Sequence, residues 1–161
     1  MISATRIFDV GPMAAVAGTI AQFVGRDLLE YTDELIVENG GDIFLKTERP
    51  VTVSIFAGSS KLSDKLGIVI YPDQMPAGIC TSSATVGHSL SLGSADSVSI
   101  ISSNASIADA AATALGNRIT NQFTLKREIE SMRESKDIKG GVVIIGKTMA
   151  SWGEVELAKI H

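Results

Sequence analysis

At 161 residues the chain has room for one domain with a sizeable core but not for two. Apolar residues make up 45% and charged residues 20%, which excludes a disordered polymer. The net charge of -4, with no dense Lys/Arg stretch, argues against a nucleic-acid binder. Cys80 is the single cysteine, so no intramolecular disulfide can form and a reducing, cytoplasmic location is expected. Neither a secretory leader nor a bilayer-length apolar run is evident, so no membrane association is expected.

In chain order, Gly11-Pro12 opens a helix predicted over residues 13–30. Val16, Ile20, Phe23, Val24 and Leu28 recur there at helical spacing, with Gly25 as a weak point. Residues 34–38 and 43–47 read as strands of a hairpin around Asn39-Gly40-Gly41-Asp42. Two further β-branched runs cover 51–57 and 66–71, and residues 72–94 read as a long loop rich in Gly, Ser, Thr and Pro. A buried strand is predicted at 97–102, an alanine-dense helix at 104–116 and an amphipathic helix at 124–135. A central strand follows at 142–145 and an edge strand at 154–160. The order implies an α+β domain over residues 1–161, a mixed and largely antiparallel sheet covered by helices.

Four segments carry residue types suited to chemistry. Asp109 and Thr113, four apart, stack on one face of the alanine helix. A carboxylate and a hydroxyl suit Mg²⁺, which keeps waters and takes further oxygens from substrate phosphates. The same residues also fit a helix start capped by Ser106, with Asp109 complementing the dipole. The Asn39-Gly40-Gly41-Asp42 turn is either a turn alone or a place where backbone approaches a flat ring or a phosphate. Thr81-Ser82-Ser83 offers hydroxyls and N–H groups to an anion. His88, beyond it, is either a solvated side chain or an acid–base group. Gly141 to Thr148 satisfies the written P-loop pattern, but its four central residues are all β-branched and predict a strand instead.

Taken together, these segments resemble the ApbE family, the FAD:protein FMN transferases. Ala108 to Ala114 matches the family's Ala-Asp-Ala-x-Ala-Thr-Ala helix, Val37 to Asp42 its Gly-Gly-Asp turn, and Thr81-Ser82-Ser83 its Thr-Ser-Gly loop. Gly11 to Gly18 looks closer to an uncharacterised ApbE-like family of archaea and bacteria. The resemblance covers residues 11–117. It implies Mg²⁺ on Asp109, Thr113 and a carbonyl of the small-residue helix start, Ala14 or Ala17. It also implies a flavin nucleotide near Asn39, Gly40, Gly41 and Asp42 and the 81–83 loop, and a catalytic role for His88. The activity expected from it is transfer of FMN from FAD to a Thr of an acceptor protein, or hydrolysis of the FAD pyrophosphate. The other expectations are a flavin binder without catalysis, an acceptor modified within Ser82-Ser83-Ala84-Thr85, and a structural oligomer. Family transferases are about twice as long, so the N-terminal half of their domain is expected to be missing here. The family's His-Ile-Ile-Asp-Pro-x-Thr-Gly segment is absent. A sheet left uncovered in this way leads to the expectation of a homodimer.

Overall fold

A computed structural model describes residues 1–87 and 91–160. Helices α1 (Ile2–Ile7), α2 (Val16–Leu28), α3 (Ala105–Arg118) and α4 (Leu125–Arg133) accompany nine strands. These are β1 (Leu35–Asn39), β2 (Asp42–Lys46), β3 (Val51–Ser54), β4 (Leu66–Ile70), β5 (Ala77–Ser82), β6 (Ser97–Ser102), β7 (Gly140–Ile145), β8 (Thr148–Gly153) and β9 (Glu156–Lys159). The α+β class is as expected. The strands divide between two sheets, a six-stranded one in the order β1-β2-β5-β6-β7-β8 and a three-stranded one in the order β3-β4-β9. All of the recorded pairings are antiparallel.

Side-chain alternation along the central strands builds two cores. Phe44, Cys80, Val98, Ile100 and Val143 face the helices. Their neighbours Leu45, Ile79, Ile101, Val142 and Ile144 face residues of the small sheet such as Ile68 and Ile70. The large sheet is therefore covered on both faces, which explains why β6 and β7 read as near-continuous apolar or small-residue runs.

β5 lies within residues 72–94, which the sequence presents as loop. Its residues Ala77-Gly78-Ile79-Cys80-Thr81-Ser82 have low strand preference. Their small size is what qualifies them: a Cβ on Gly78 would strike the backbone of Ala105 in α3. Helix and strand meet more closely here than larger residues allow. The cap of α3 also differs from expectation. Asn104, not Ser106, receives the first N–H groups, from Ser106 at 2.9 Å and Ile107 at 3.4 Å. Asn104 takes the extended backbone that a cap requires, whereas Ser106 is already helical.

The buried face of α2 is small, made of Gly18, Ala21, Gln22 and Gly25. The apolar stripe Ile20, Phe23, Val24 and Leu28 points outward and is exposed. Gly25 is no accident of composition, because a Cβ there would enter the Phe44 ring of β2. The Gly146 turn joins β7 to β8 with a φ of 60°, and no helix follows the lysine, as expected from the β-branched run. Among the described residues no helix is long and apolar enough to cross a membrane.

Two outcomes follow. Gly25→Ala improves intrinsic helix preference, yet it should destabilise the fold by about 1–2 kcal/mol in denaturant unfolding, because the buried Phe44 ring has nowhere to go. Lys147→Ala should leave binding of any nucleotide unchanged in titration calorimetry, since a hairpin turn presents no cradle of N–H groups to phosphate.

Candidate functional site

The face of β2 that carries Phe44 also carries Asp42, at the strand's first position, and both point towards α3. Asp42 is buried, and its Oδ1 accepts the Thr81 N–H at 3.1 Å. Asp109 reaches the same spot from the second turn of α3. Its Oδ2 accepts the N–H of Gly18, in the first turn of α2, at 2.8 Å. A Cβ on Gly18 would stand 2.6 Å from that of Asp109, so only glycine lets α2 come this near. The two carboxyl groups hydrogen-bond each other.

Around this pair the small-residue helix start supplies carbonyls. Thr113 Oγ1 donates to the Ala14 carbonyl at 3.4 Å, which brings hydroxyl and carbonyl together one helical turn from Asp109. Asn39 Nδ2 donates to the Ala17 carbonyl at 3.3 Å, and so tethers the β1–β2 hairpin to α2. Ala17 is thereby engaged, and Ala14 is the carbonyl that stands beside Thr113. Gly40 and Gly41 form the tip of the hairpin with φ of 63° and 98°, and the space above both is open.

Burial pushes the Asp42 carboxyl up to about 8, helped by the Asp109 charge and the hydrogen bond to it. Burial also raises Asp109, while the Gly18 N–H and the Asp42 hydrogen bond pull it back down. Burial therefore favours the protonated form of Asp42. The described ion pairs are Arg118–Glu128, Arg127–Glu128 and Arg133–Glu130, so no basic side chain neutralises either acid among the described residues. Cys80 lies beneath the pair, wholly buried, with its Sγ donating to the Ala105 carbonyl at 3.2 Å. Burial first, then the two nearby carboxyls, push the thiol well up, so it stays protonated and unreactive.

The oxygens assembled here come from Asp42, Asp109, Thr113 and Ala14, a hard donor set of the kind Mg²⁺ accepts. Two buried acids lacking a basic partner leave negative charge that a cation would offset. Among the described residues no group of three His, Cys, Asp or Glu is arranged to hold a metal ion by itself.

The other sequence candidates fall as follows. Thr81 joins through its backbone N–H, while its hydroxyl pairs with Ser99 at 2.8 Å. Ser82 faces the end of α3, near Gly116. Ser83 is held within its own turn, its Oγ accepting the N–H groups of Thr85 at 3.1 Å and Val86 at 3.0 Å. His88 lies outside the described residues. Sequence reasoning missed the Gly18 N–H. The available signal was a glycine in the second turn of the helix predicted over 13–30, which is costly unless something approaches closely.

The protonation of Asp42 makes a testable difference. The unfolded chain loses this proton near 3.8, and the folded chain near 8. The contribution of Asp42 is therefore most favourable below about pH 4 and erodes as pH rises towards 8. Asp42→Asn keeps shape and neutrality, so it should raise stability at pH 8 by at least ~1 kcal/mol and leave pH 4 unchanged. Urea unfolding at both pH values checks this, and equal effects at both would contradict the protonated assignment.

Comparisons with known proteins bear on the family and the fold. The family model described as AbpE bacteria matches residues 1–157. The chain is 45% identical over 156 residues to a UPF0280 protein of Methanothrix thermoacetophila, covering 96% of this chain and 65% of that one. It is likewise 45% identical over 163 residues to a UPF0280 protein of Methanocella arvoryzae, covering 100% and 66%. The chain thus spans slightly less than two thirds of these curated relatives. The ApbE protein of Thermotoga maritima shares the fold with a TM-score of 0.68 at 15% identity, over 88% of this chain and 50% of that one. A flavin transferase ApbE from Vibrio cholerae does so with a TM-score of 0.60 at 19% identity, over 86% and 48%. On the match across residues 1–157, the chain belongs to the ApbE-like family.

Proposed function

We propose that this chain binds a flavin dinucleotide through Mg²⁺ at the Asp109–Thr113–Ala14 corner and acts on its pyrophosphate, in the cytoplasm. The observation that carries the reading is the buried carboxyl pair without a basic partner, set against a carbonyl and a hydroxyl, on the fold of known flavin transferases. When bound, the metal supplies positive charge to the pyrophosphate and to the charge that develops on phosphorus. Asp109, Thr113 Oγ1 and the Ala14 carbonyl would hold the ion. The positive charge of such an ion would favour the ionised form of Asp42. The open tip at Gly40 and Gly41 leaves room for the flavin side of the nucleotide, and Asn39 holds that hairpin in register with α2.

In the transfer reaction, a Thr hydroxyl oxygen of an acceptor protein attacks the phosphorus on the FMN side. The bridging P–O bond breaks, AMP leaves, and the hydroxyl proton passes to a base. His88 is our candidate for that base. With water in place of the acceptor, the products are FMN and AMP. A second reading is a flavin binder without turnover, favoured by the absent His-Ile-Ile-Asp-Pro-x-Thr-Gly segment and by Thr-Ser-Ser in place of Thr-Ser-Gly. Release of AMP from FAD in the presence of Mg²⁺ separates the two.

Calorimetry with FAD, FMN and ADP, with and without Mg²⁺, tests the site itself. Mg²⁺ alone should bind weakly, and FAD should tighten it. Asp109→Ala should abolish this mutual dependence and weaken FAD binding at least ~tenfold, about 1.4 kcal/mol. A folded Asp109→Ala variant that binds FAD as tightly as the parent sinks the metal reading and leaves Asp109 a structural acid.

A further inference from the structure

A helix on the surface of a globular protein ordinarily turns its apolar stripe inward. α2 does the reverse. Gly18, Ala21 and Gly25 are buried against α3 and Phe44, while Ile20, Phe23, Val24 and Leu28 are 43–57% exposed. Tyr31, one heptad beyond Val24 and 84% exposed, extends the row past the end of the helix. Beside this ridge runs a shallow groove of about 280 Å³ between α1 and the start of α3, with Ile7, Ile107 and, from α2, Phe23 in its walls.

We propose that this outward face of α2, with the adjoining groove, is a two-fold interface on which two copies of this chain associate. Three observations favour a second copy over other occupants. Five large side chains in one row, Ile20, Phe23, Val24, Leu28 and Tyr31, stand 43–84% exposed, a contiguous patch of the kind that marks an interface. The row is self-complementary. An antiparallel crossing centred on Val24 sets Ile20 of one copy against Leu28 of the other, four residues on either side of the axis, and leaves each Phe23 beside a groove. The rim carries both signs, Arg26 beside Asp27 and Glu30, all three exposed. Two copies therefore meet without strong repulsion, whereas a helix that lies on an anionic membrane carries a basic rim.

The interface is distinct from the metal corner, which occupies the opposite, glycine-lined side of α2. Its test needs neither nucleotide nor metal, so its failure would leave the flavin reading standing. Sedimentation velocity of the full chain from low micromolar to tens of micromolar should give about twice the 16.9 kDa chain mass. Phe23→Glu and Val24→Glu, both at exposed positions, should each weaken the dimer at least ~100-fold while circular dichroism and melting stay unchanged. Phe123→Ser, a control at an 84% exposed apolar position beside α4, should leave the dimer intact. A wild-type monomer at tens of micromolar overturns the proposal, as does a dimer that survives both glutamate variants or one lost equally in Phe123→Ser. It is overturned too if the monomer instead takes up, one to one, the segment of the Methanothrix relative that this chain does not match.

Discussion

The close approach of α3 to β5 and to α2 is the constraint on which the rest of the molecule depends. Gly78 lets Ala105 rest on the strand, and Gly18 lets the first turn of α2 reach Asp109. The alanines of α3 are buried on almost every side because elements surround that helix. Contact at this spacing gains dispersion energy from backbone atoms that larger side chains would hold apart. It also leaves no slack. A methyl group at Gly18 would push aside Ala105 and Asp109 together, so the packing and the candidate site share one tolerance.

That closeness explains how two acids can occupy the interior. An unpaired buried carboxylate is costly, and the protein meets the cost with one retained proton and with backbone N–H groups from Gly18 and Thr81. A hydrophobic pair of similar volume would be expected to hold the helices together at least as well. The same logic separates Cys80 from the chemistry, since the carboxyls above it and the apolar wall around it disfavour the thiolate.

α2 serves two surfaces at once. Its glycine face fixes the distance to α3 and presents an N–H to Asp109. Its apolar face makes few contacts within the chain. A helix of this kind is stabilised by one side only, and a second surface packed on the outer row would raise the stability of the whole layer. The Gly18 contact to Asp109 and the exposed apolar row thus lie on opposite sides of the same helix.

Much of this was legible from residues alone. The hairpin at Gly40-Gly41 followed from the need for positive φ, α3 from its alanines though not from the expected Ser106 cap, and the strand at Val142 to Ile145 from β-branching, which also removed the P-loop. Asp109 and Thr113 were legible because spacing on a helix is local geometry. By contrast, β5 was invisible, since Gly, Cys, Thr and Ser take strand geometry only when neighbours on both sides supply the ladder. The orientation of α2 could not be read either: periodicity reports that a helix has two faces, not which one the core accepts. Only the tertiary contacts chose the glycine side, because close packing against α3 and Phe44 outweighed the burial of Ile20, Phe23, Val24 and Leu28. The pairing of Asp42 with Asp109, 67 residues apart in the chain, belongs to the same class, for it exists only once two elements are brought within hydrogen-bonding distance.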